Sequence, residues 1–469
     1  MKLWEKINPY KSSPVKRVSD RPNQPYRLPV SARIVMGLMG LIAVGTLLLM
    51  IPAMSTEAPL TFREAIFTSI SALTVTGLSI ITAGTDLTRT GQIVLLLLIQ
   101  FGGVGYMVIA TLIMRFIGRR VFVLDRIALS NSIGLDSPED IMHVLRHVIR
   151  GIIVIEVVGA VVLYLHWSLN SIVPQSDVIF LAVFHSISAF CNAGFDLFGN
   201  ASLFPSGMPK DNLTLLILGT IIFIGGLGIP VLSEFFANHH FKRWSLHTRV
   251  TMLVVTGLVL FGWVFTFWAE AGALGVLHDA GLGKQLARSW FHSISSRTAG
   301  FAAFDSFAQI RPATQILTIC LMFIGCAPAS MGGGLTTGTF AVLWAAVLNY
   351  TRGHSEVRVM ERRVSRGTVR RAGSVLTISI GLVMGATFFI LLTHPTATVD
   401  QVLFEVVSAF ATCGLSLDFT GQLNNFGLGV ISVMMIWGRL GALTIVTAIM
   451  QTSRQDSGVR YPEETLQIG

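Results

Sequence analysis

Four stretches of this sequence share one pattern. The first is Phe67-Thr-Ser-Ile-Ser-Ala-Leu-Thr-Val-Thr-Gly77-Leu78 and the second Phe184-His-Ser-Ile-Ser-Ala-Phe-Cys-Asn-Ala-Gly194-Phe195. The third, Phe291-His-Ser-Ile-Ser-Ser-Arg-Thr-Ala-Gly300-Phe301, is one residue shorter, and the fourth is Phe404-Glu-Val-Val-Ser-Ala-Phe-Ala-Thr-Cys-Gly414-Leu415. Successive glycines lie 117, 106 and 114 residues apart, so one unit is used four times. A short helix ending in a glycine-bearing stretch at membrane depth leaves peptide groups unpaired. Such backbone is tolerated only where it is buried or lines a water-filled path. Four copies can surround one axis, and their carbonyls can form rings that replace an ion's hydration shell. A glycine in each copy permits the backbone geometry this needs.

A second glycine site follows in each unit: Phe101-Gly-Gly-Val-Gly105, Ile224-Gly-Gly-Leu-Gly228, Ile324-Gly-Cys-Ala-Pro328 and Trp437-Gly-Arg-Leu-Gly441. Two readings stand open for it, helix packing and function. The polar, Gly-rich run from Ala327 to Thr339 interrupts an apolar segment at about mid-depth, either as a plain helix break or as a functional loop. Arg439 is the one basic residue deep in an apolar segment. A charge there faces a cavity or a partner, unless it snorkels or sits in a structural salt bridge. His185 and His292 occupy equivalent positions and read as polar residues on buried short helices rather than metal ligands. Asp86, Asp196, Asp305 and Asp418 each follow a repeat glycine, either as a cation-attracting mouth or as ordinary loop residues.

These residues sit in a chain built for lipid. Of 469 residues, 52% are hydrophobic and 13% charged, with a mean hydropathy of +0.67. That argues against a soluble enzyme, a disordered chain or a nucleic-acid binder. Long apolar runs near 31–52, 92–114, 148–168, 213–236, 250–270, 313–349, 372–393 and 428–450 each supply the roughly 20 residues a spanning helix needs. Four shorter segments, 62–73, 178–190, 285–296 and 400–410, have the length of re-entrant helices. The expected fold is an all-α membrane protein of eight spanning and four re-entrant helices, in four membrane–pore–membrane repeats around one pore. The predicted division is a basic tail at 1–30, repeats at 31–115, 116–236, 237–350 and 351–451, and a second tail at 452–469. Segments 1–33, 115–150, 237–249, 351–371 and 452–469 hold 26 of the 34 Lys and Arg. The positive-inside rule then puts both termini in the cytoplasm. Cys191, Cys320, Cys326 and Cys413 form no Cys-x-x-Cys motif, and no His-Glu-x-x-His or Gly-x-Ser-x-Gly motif occurs, so neither a metal centre nor a membrane enzyme is supported. Repeats in one orientation also argue against an inverted-repeat carrier.

At these residues the chain resembles the Trk/Ktr/HKT superfamily of potassium transporters, and most of all the bacterial Ktr-type membrane subunit. The resemblance covers about 31 to 451. It rests on Thr74-Val75-Thr76-Gly77, Cys191-Asn192-Ala193-Gly194, Arg297-Thr298-Ala299-Gly300 and Ala411-Thr412-Cys413-Gly414, which it makes the four parts of a K⁺ selectivity filter. It implies K⁺ uptake across the plasma (inner) membrane, without a covalently bound cofactor. Gly77 leans toward K⁺; a sodium or mixed Na⁺/K⁺ transporter of the same fold is the alternative. It makes Ser330, Gly332, Gly333, Gly334, Thr336, Thr337 and Gly338 an intramembrane gating loop and Arg439 an electrostatic barrier beside it. It further implies a homodimer and a cytosolic regulatory ring of Rossmann-type, nucleotide-binding domains, with no nucleic acid as partner.

Overall fold

Helix accounts for nearly all of the regular structure. The computed structural model describes residues 30–105, 141–199, 207–237, 244–305, 307–354, 356–360 and 362–441. The two predicted tails, the 115/116 boundary and the ends of the runs at 92–114 and 428–450 lie outside those residues.

In chain order the helices longer than one turn are α1 (Val30–Leu49), α2 (Phe62–Thr74), α3 (Arg89–Val104), α4 (Ile141–Leu169), α5 (Val178–Phe190), α6 (Asn212–Gly226) and α7 (Ile229–Ala237). Then come α8 (Leu246–Glu270), α9 (Leu282–Ser295), α10 (Pro312–Phe323), α11 (Thr337–Thr351), α12 (Arg366–Thr393), α13 (Val399–Ala411) and α14 (Asn425–Leu440). A hairpin of β1 (Arg358–Val359) and β2 (Arg362–Arg363), antiparallel with Arg358 opposite Arg363, precedes α12.

Among the described residues, three helices suffice by length and hydropathy to cross a bilayer: 148–169 of α4, all of α8, and α12. The apolar run at 213–236 is not straight. It is α6 and α7, bent by 103°, with Gly228 at φ +87° in the break. The run at 313–349 is likewise two helices, α10 and α11, with non-helical backbone between them. The four predicted short segments are α2, α5, α9 and α13. Threonine opens α2 with a capping box, in which Thr61 N–H donates to Glu64 at 2.8 Å and Glu64 N–H donates back to the Thr61 hydroxyl.

Packing orders these elements in a circle. The helix after each short helix lies against the next copy's short helix: α3 on α5, α6 on α9, α10 on α13, and α14 back on α2. The circle is polar within and apolar without. Thr68, Ser71, His185, Ser188, Ser295 and Glu405 are wholly buried, while Leu47, Val157, Val264 and Phe388 are more than half exposed. Large apolar side chains on the outer faces and hydroxyls in the core suit a lipid surround.

Serine and glycine set how closely the short helices approach the long helix before them. Ser69, Ser186 and Ser293 donate to the carbonyls of Ile42, Glu156 and Val259 at 2.7–3.0 Å. One turn on, Gly45, Gly159 and Gly262 leave the room those hydroxyls fill. Val406 stands at this position in the fourth copy.

Candidate ion-coordination site

The C-terminal ends of α2, α5, α9 and α13 converge. A Cβ added to Gly77 would lie 2.4 Å from the carbonyl oxygen of Ala193; one on Gly194, 2.8 Å from that of Ala299. One on Gly300 would lie 2.2 Å from Cys413 O, and one on Gly414, 2.1 Å from Thr76 O. Each glycine thus abuts the residue that precedes the next glycine, and the fourth abuts the first. The ring is closed, and no side chain fits at any of its four corners.

Backbone conformation repeats around the ring. Gly77, Gly194, Gly300 and Gly414 have φ of +90°, +66°, +77° and +96°. Two residues before each glycine stands a residue also in the left-handed region: Val75, Asn192, Thr298 and Thr412, at φ 50–74°. For β-branched residues this is a strained choice, held by surrounding contacts. Those contacts come from one serine per copy. The carbonyls of Ser71, Ser188 and Ser408 accept the N–H of Thr76, Ala193 and Cys413 at 2.8 Å, and Ser295 accepts that of Ala299 at 2.9 Å. The Ser71 and Ser408 hydroxyls accept the N–H of Gly77 and Gly414 at 3.0 Å. Those of Ser188 and Ser295 donate to the carbonyls of Phe195 and Phe301. The N–H groups just before the ring are therefore turned back to the helix ends, and the carbonyls of Thr76, Ala193, Ala299 and Cys413 lie at the ring. Sequence reasoning assigned these serines no role, although serine occupies the position in all four copies.

The sixteen residues predicted to bind the ion come together here, but not in one role. Thr74 and Ala411 close their helices, and the Thr74 hydroxyl bonds back to Ile70 O at 2.7 Å. Arg297 points its side chain away from the ring and donates to Val255 O at 3.2 Å and Gly325 O at 2.8 Å.

Directly against the ring stretches lies the segment 324–336. Gly333 N–H donates to the Thr412 hydroxyl at 2.9 Å. A Cβ on Gly332 would lie 1.9 Å from Thr298 Oγ1, and one on Gly334 3.2 Å from Ala411 Cα. The Ser330 hydroxyl is buried without a partner. Thr336 caps α11 by accepting Thr339 N–H at 3.4 Å, and Thr337 and Gly338 begin that helix. Arg439 reaches this segment from α14. It donates to Met331 O and, across the molecule, to Gly102 O and to Gly103 O, the last at 3.0 Å. Its partners are thus carbonyls, two of them in the last turn of α3, where a helix end favours a cation. The alternative of a salt bridge for this arginine is not what the described residues contain.

The second glycine site packs helices. A Cβ on Gly102, Gly225 or Gly438 would lie 2.0–2.3 Å from the carbonyl of Leu73, Phe190 or Phe410, each four residues before a ring glycine. These glycines let α3, α6 and α14 touch the short-helix ends. Of the aspartates after the ring, Asp86 accepts Thr82 N–H at 2.9 Å and Asp196 bonds His185 at 3.1 Å. Asp305 meets Arg288 at 2.8 Å and Lys210 at 3.1 Å. Burial would raise the Asp305 carboxyl, but Lys210 and Arg288 hold it below the usual range. Asp418 is exposed. His292 bonds Thr318, and no cluster of three metal-ligating side chains occurs among the described residues.

Residues 33–461 match the family model described as TrkH, cation transport protein. Ktr system potassium uptake protein B of Bacillus subtilis is 34% identical over 92% of this chain and 94% of that protein. Its Vibrio alginolyticus namesake is 31% identical over 93% and 94%. The potassium/sodium uptake protein NtpJ of Enterococcus hirae is 30% identical over 93% and 96%. The crystal structure of the potassium transporter TrkH from Vibrio parahaemolyticus superposes with a TM-score of 0.72, at 18% identity, over 92% of this chain and 87% of that one.

Proposed function

We propose that this chain, which belongs to the TrkH family of cation transport proteins, takes up K⁺ through the ring of Gly77, Gly194, Gly300 and Gly414. The observation that carries the reading is the closed ring, with a carbonyl at every corner and the adjoining N–H groups bonded behind it. An extended strand alternates the direction of its groups. A left-handed residue at every second position undoes that alternation and lets successive carbonyls face one way. Rings of carbonyls then stand in for water around a dehydrated cation. Potassium is the cargo we assign, since it appears in the names of all three relatives. A sodium or mixed transporter is not favoured.

Gating belongs to the same proposal. The segment Ser330 to Gly338 lies against two of the four ring stretches, and Arg439 binds its carbonyl at Met331. A loop and a fixed positive charge at one level block a cation by bulk and by repulsion. Drawing Arg439 off Met331 would free both.

On this reading the chain is a multi-pass membrane protein with four repeats, 31–115, 116–236, 237–350 and 351–451, eight spans and both termini cytoplasmic in the plasma membrane. A homodimer and a cytosolic nucleotide-binding ring on the basic face complete the proposed assembly. Flux in liposomes holding the pure protein tests the core of it. K⁺ should exchange faster than Na⁺, and Gly77→Ser should narrow that difference. Equal ratios in mutant and wild type would remove the ring from the explanation.

A further inference from the structure

Two of the four ring stretches are fastened from behind through one pair of positions, and two are not. The residue after the first phenylalanine of each copy is Thr68, His185, His292 or Glu405; the residue two beyond each ring glycine is Ser79, Asp196, Ala302 or Ser416. In the second copy these positions meet: His185 Nε2 lies 3.1 Å from Asp196 Oδ1. In the fourth they meet again with the acid on the other side, the Ser416 hydroxyl donating to Glu405 at 2.7 Å. Thr420 also donates to that carboxyl. In the first copy they do not meet. The Thr68 hydroxyl is buried without a partner, and Ser79 turns to Ile81 O at 2.7 Å. Alanine at 302 has nothing to offer in the third copy, and His292 turns to Thr318. Around the ring the fastened copies are diagonal.

The second-copy pair is built as a hydrogen-bonded lock. His185 is wholly buried. Its Nδ1 faces Leu181 O at 2.8 Å, so both ring nitrogens face oxygens. Asp196 accepts two more hydrogen bonds, from the N–H of Phe198 and of Met208. Both sides of the pair are thus held by further hydrogen bonds, so ring and carboxylate have one geometry available to them. Phe198 lies 4.8 Å from the imidazole centroid and Phe301, the residue after the third ring glycine, 6.4 Å. The lock of copy two therefore leans on copy three.

We infer that His185–Asp196 and Glu405–Ser416 are positioning pairs that hold two diagonal corners of the ring at the spacing that prefers K⁺. The inference rests on the coordination reading above. Neither pair touches the ion; each fixes the backbone just beyond a ring glycine, where a shift would change the opening.

The test is the ratio of K⁺ to Na⁺ flux for the full chain in liposomes at matched protein. Asp196→Ala and Glu405→Ala should each lower it by about tenfold, the scale of one buried hydrogen bond lost with its partner left unsatisfied. Thr68→Ala, in an unfastened copy, should leave it unchanged. The double variant H185E/D196S transplants the fourth copy's pair into the second and should recover most of the ratio. If both alanine variants match Thr68→Ala, the inference is overturned. Where Asp196→Ala yields too little folded protein, H185E/D196S decides against Glu405→Ala: a swap as damaged as that single loss overturns it too. Gly77→Ser in the same series separates the two levels. A collapsed ratio there, with intact ratios in the pair variants, sinks the positioning pairs alone. No change in any variant sinks the coordination reading with them.

Discussion

The glycine ring and the layer against it come from the same four copies but follow opposite rules. At the ring, all four copies adopt one backbone: a left-handed glycine, a left-handed residue two before it, and a serine behind. In the next layer the copies diverge. Three bring a glycine against a short-helix carbonyl, while the third puts Gly325 against Gly333 of the 324–336 segment, and the fourth adds Arg439. Like copies make a closed ring of one repeated geometry; unlike copies make contacts that occur once, and on the proposed function these are the cage and the gate. Symmetry is what coordination of a spherical ion needs, and asymmetry is what one switchable contact needs.

The hardest blow to this contrast is a side chain at the ring. Gly414→Ser places a Cβ about 2 Å from Thr76 O in a backbone that L-residues adopt at a cost of about 1–2 kcal/mol. We expect K⁺ uptake by a transport-deficient host to fall at least about tenfold, since 1.4 kcal/mol is a factor of ten. Growth at limiting K⁺ equal to wild type would contradict a ring that admits no side chain.

In the adjacent layer the sign should reverse. Arg439→Ala, or removal of part of 330–338, should raise resting K⁺ flux several-fold and leave the K⁺ over Na⁺ ratio near wild type. If both changes leave resting flux as it was, the obstruction lies elsewhere; loss of the protein from the membrane would make Arg439 structural.

A finer cut separates ring from support. Ser71→Ala removes the hydroxyl that accepts Gly77 N–H, at a cost of about 1 kcal/mol. Ion preference should soften by a few-fold, and the same change at Ser408 should do likewise. The smallest effect is expected from Gly102→Ala. It must push the Leu73 carbonyl aside, so it should lower thermal stability in detergent by a few degrees before it alters ion preference. An ion-preference change without a stability change would give this glycine a part in conduction.

Much of this architecture was legible because it is local and repeated. The short helices at 62–73, 178–190 and 400–410 fall within a residue or two of α2, α5 and α13, since hydropathy and a terminal glycine mark them. The third begins three residues earlier than 285, because Gly281 rather than a polar side chain opens α9. Less legible was the 103° break between α6 and α7: Gly225, Gly226, Gly228 and Pro230 mark a weak point there, but hydropathy stays high through it and no residue type gives the angle. The partners of Arg439 could not be read at all. They are carbonyls 108, 336 and 337 residues away, and a carbonyl has no residue type to find in a sequence. The side-chain role of Arg297 was illegible for a related reason: its backbone belongs to a ring stretch while its charge serves the carbonyls of Val255 and Gly325.

The corner between Gly414 and Gly77 joins residues 337 positions apart. A ribosome adding about 5–20 residues per second needs on the order of tens of seconds to make that stretch. Through that interval three quarters of the cage exists without its last wall, with serines and strained carbonyls facing a gap that α13 and α14 will fill. The final contacts are long-range and slow to form. Closure of the ring is therefore late in synthesis: a nascent chain that has not reached residue 399 holds three of the four ring stretches and lacks the two helices, α13 and α14, that complete the circle.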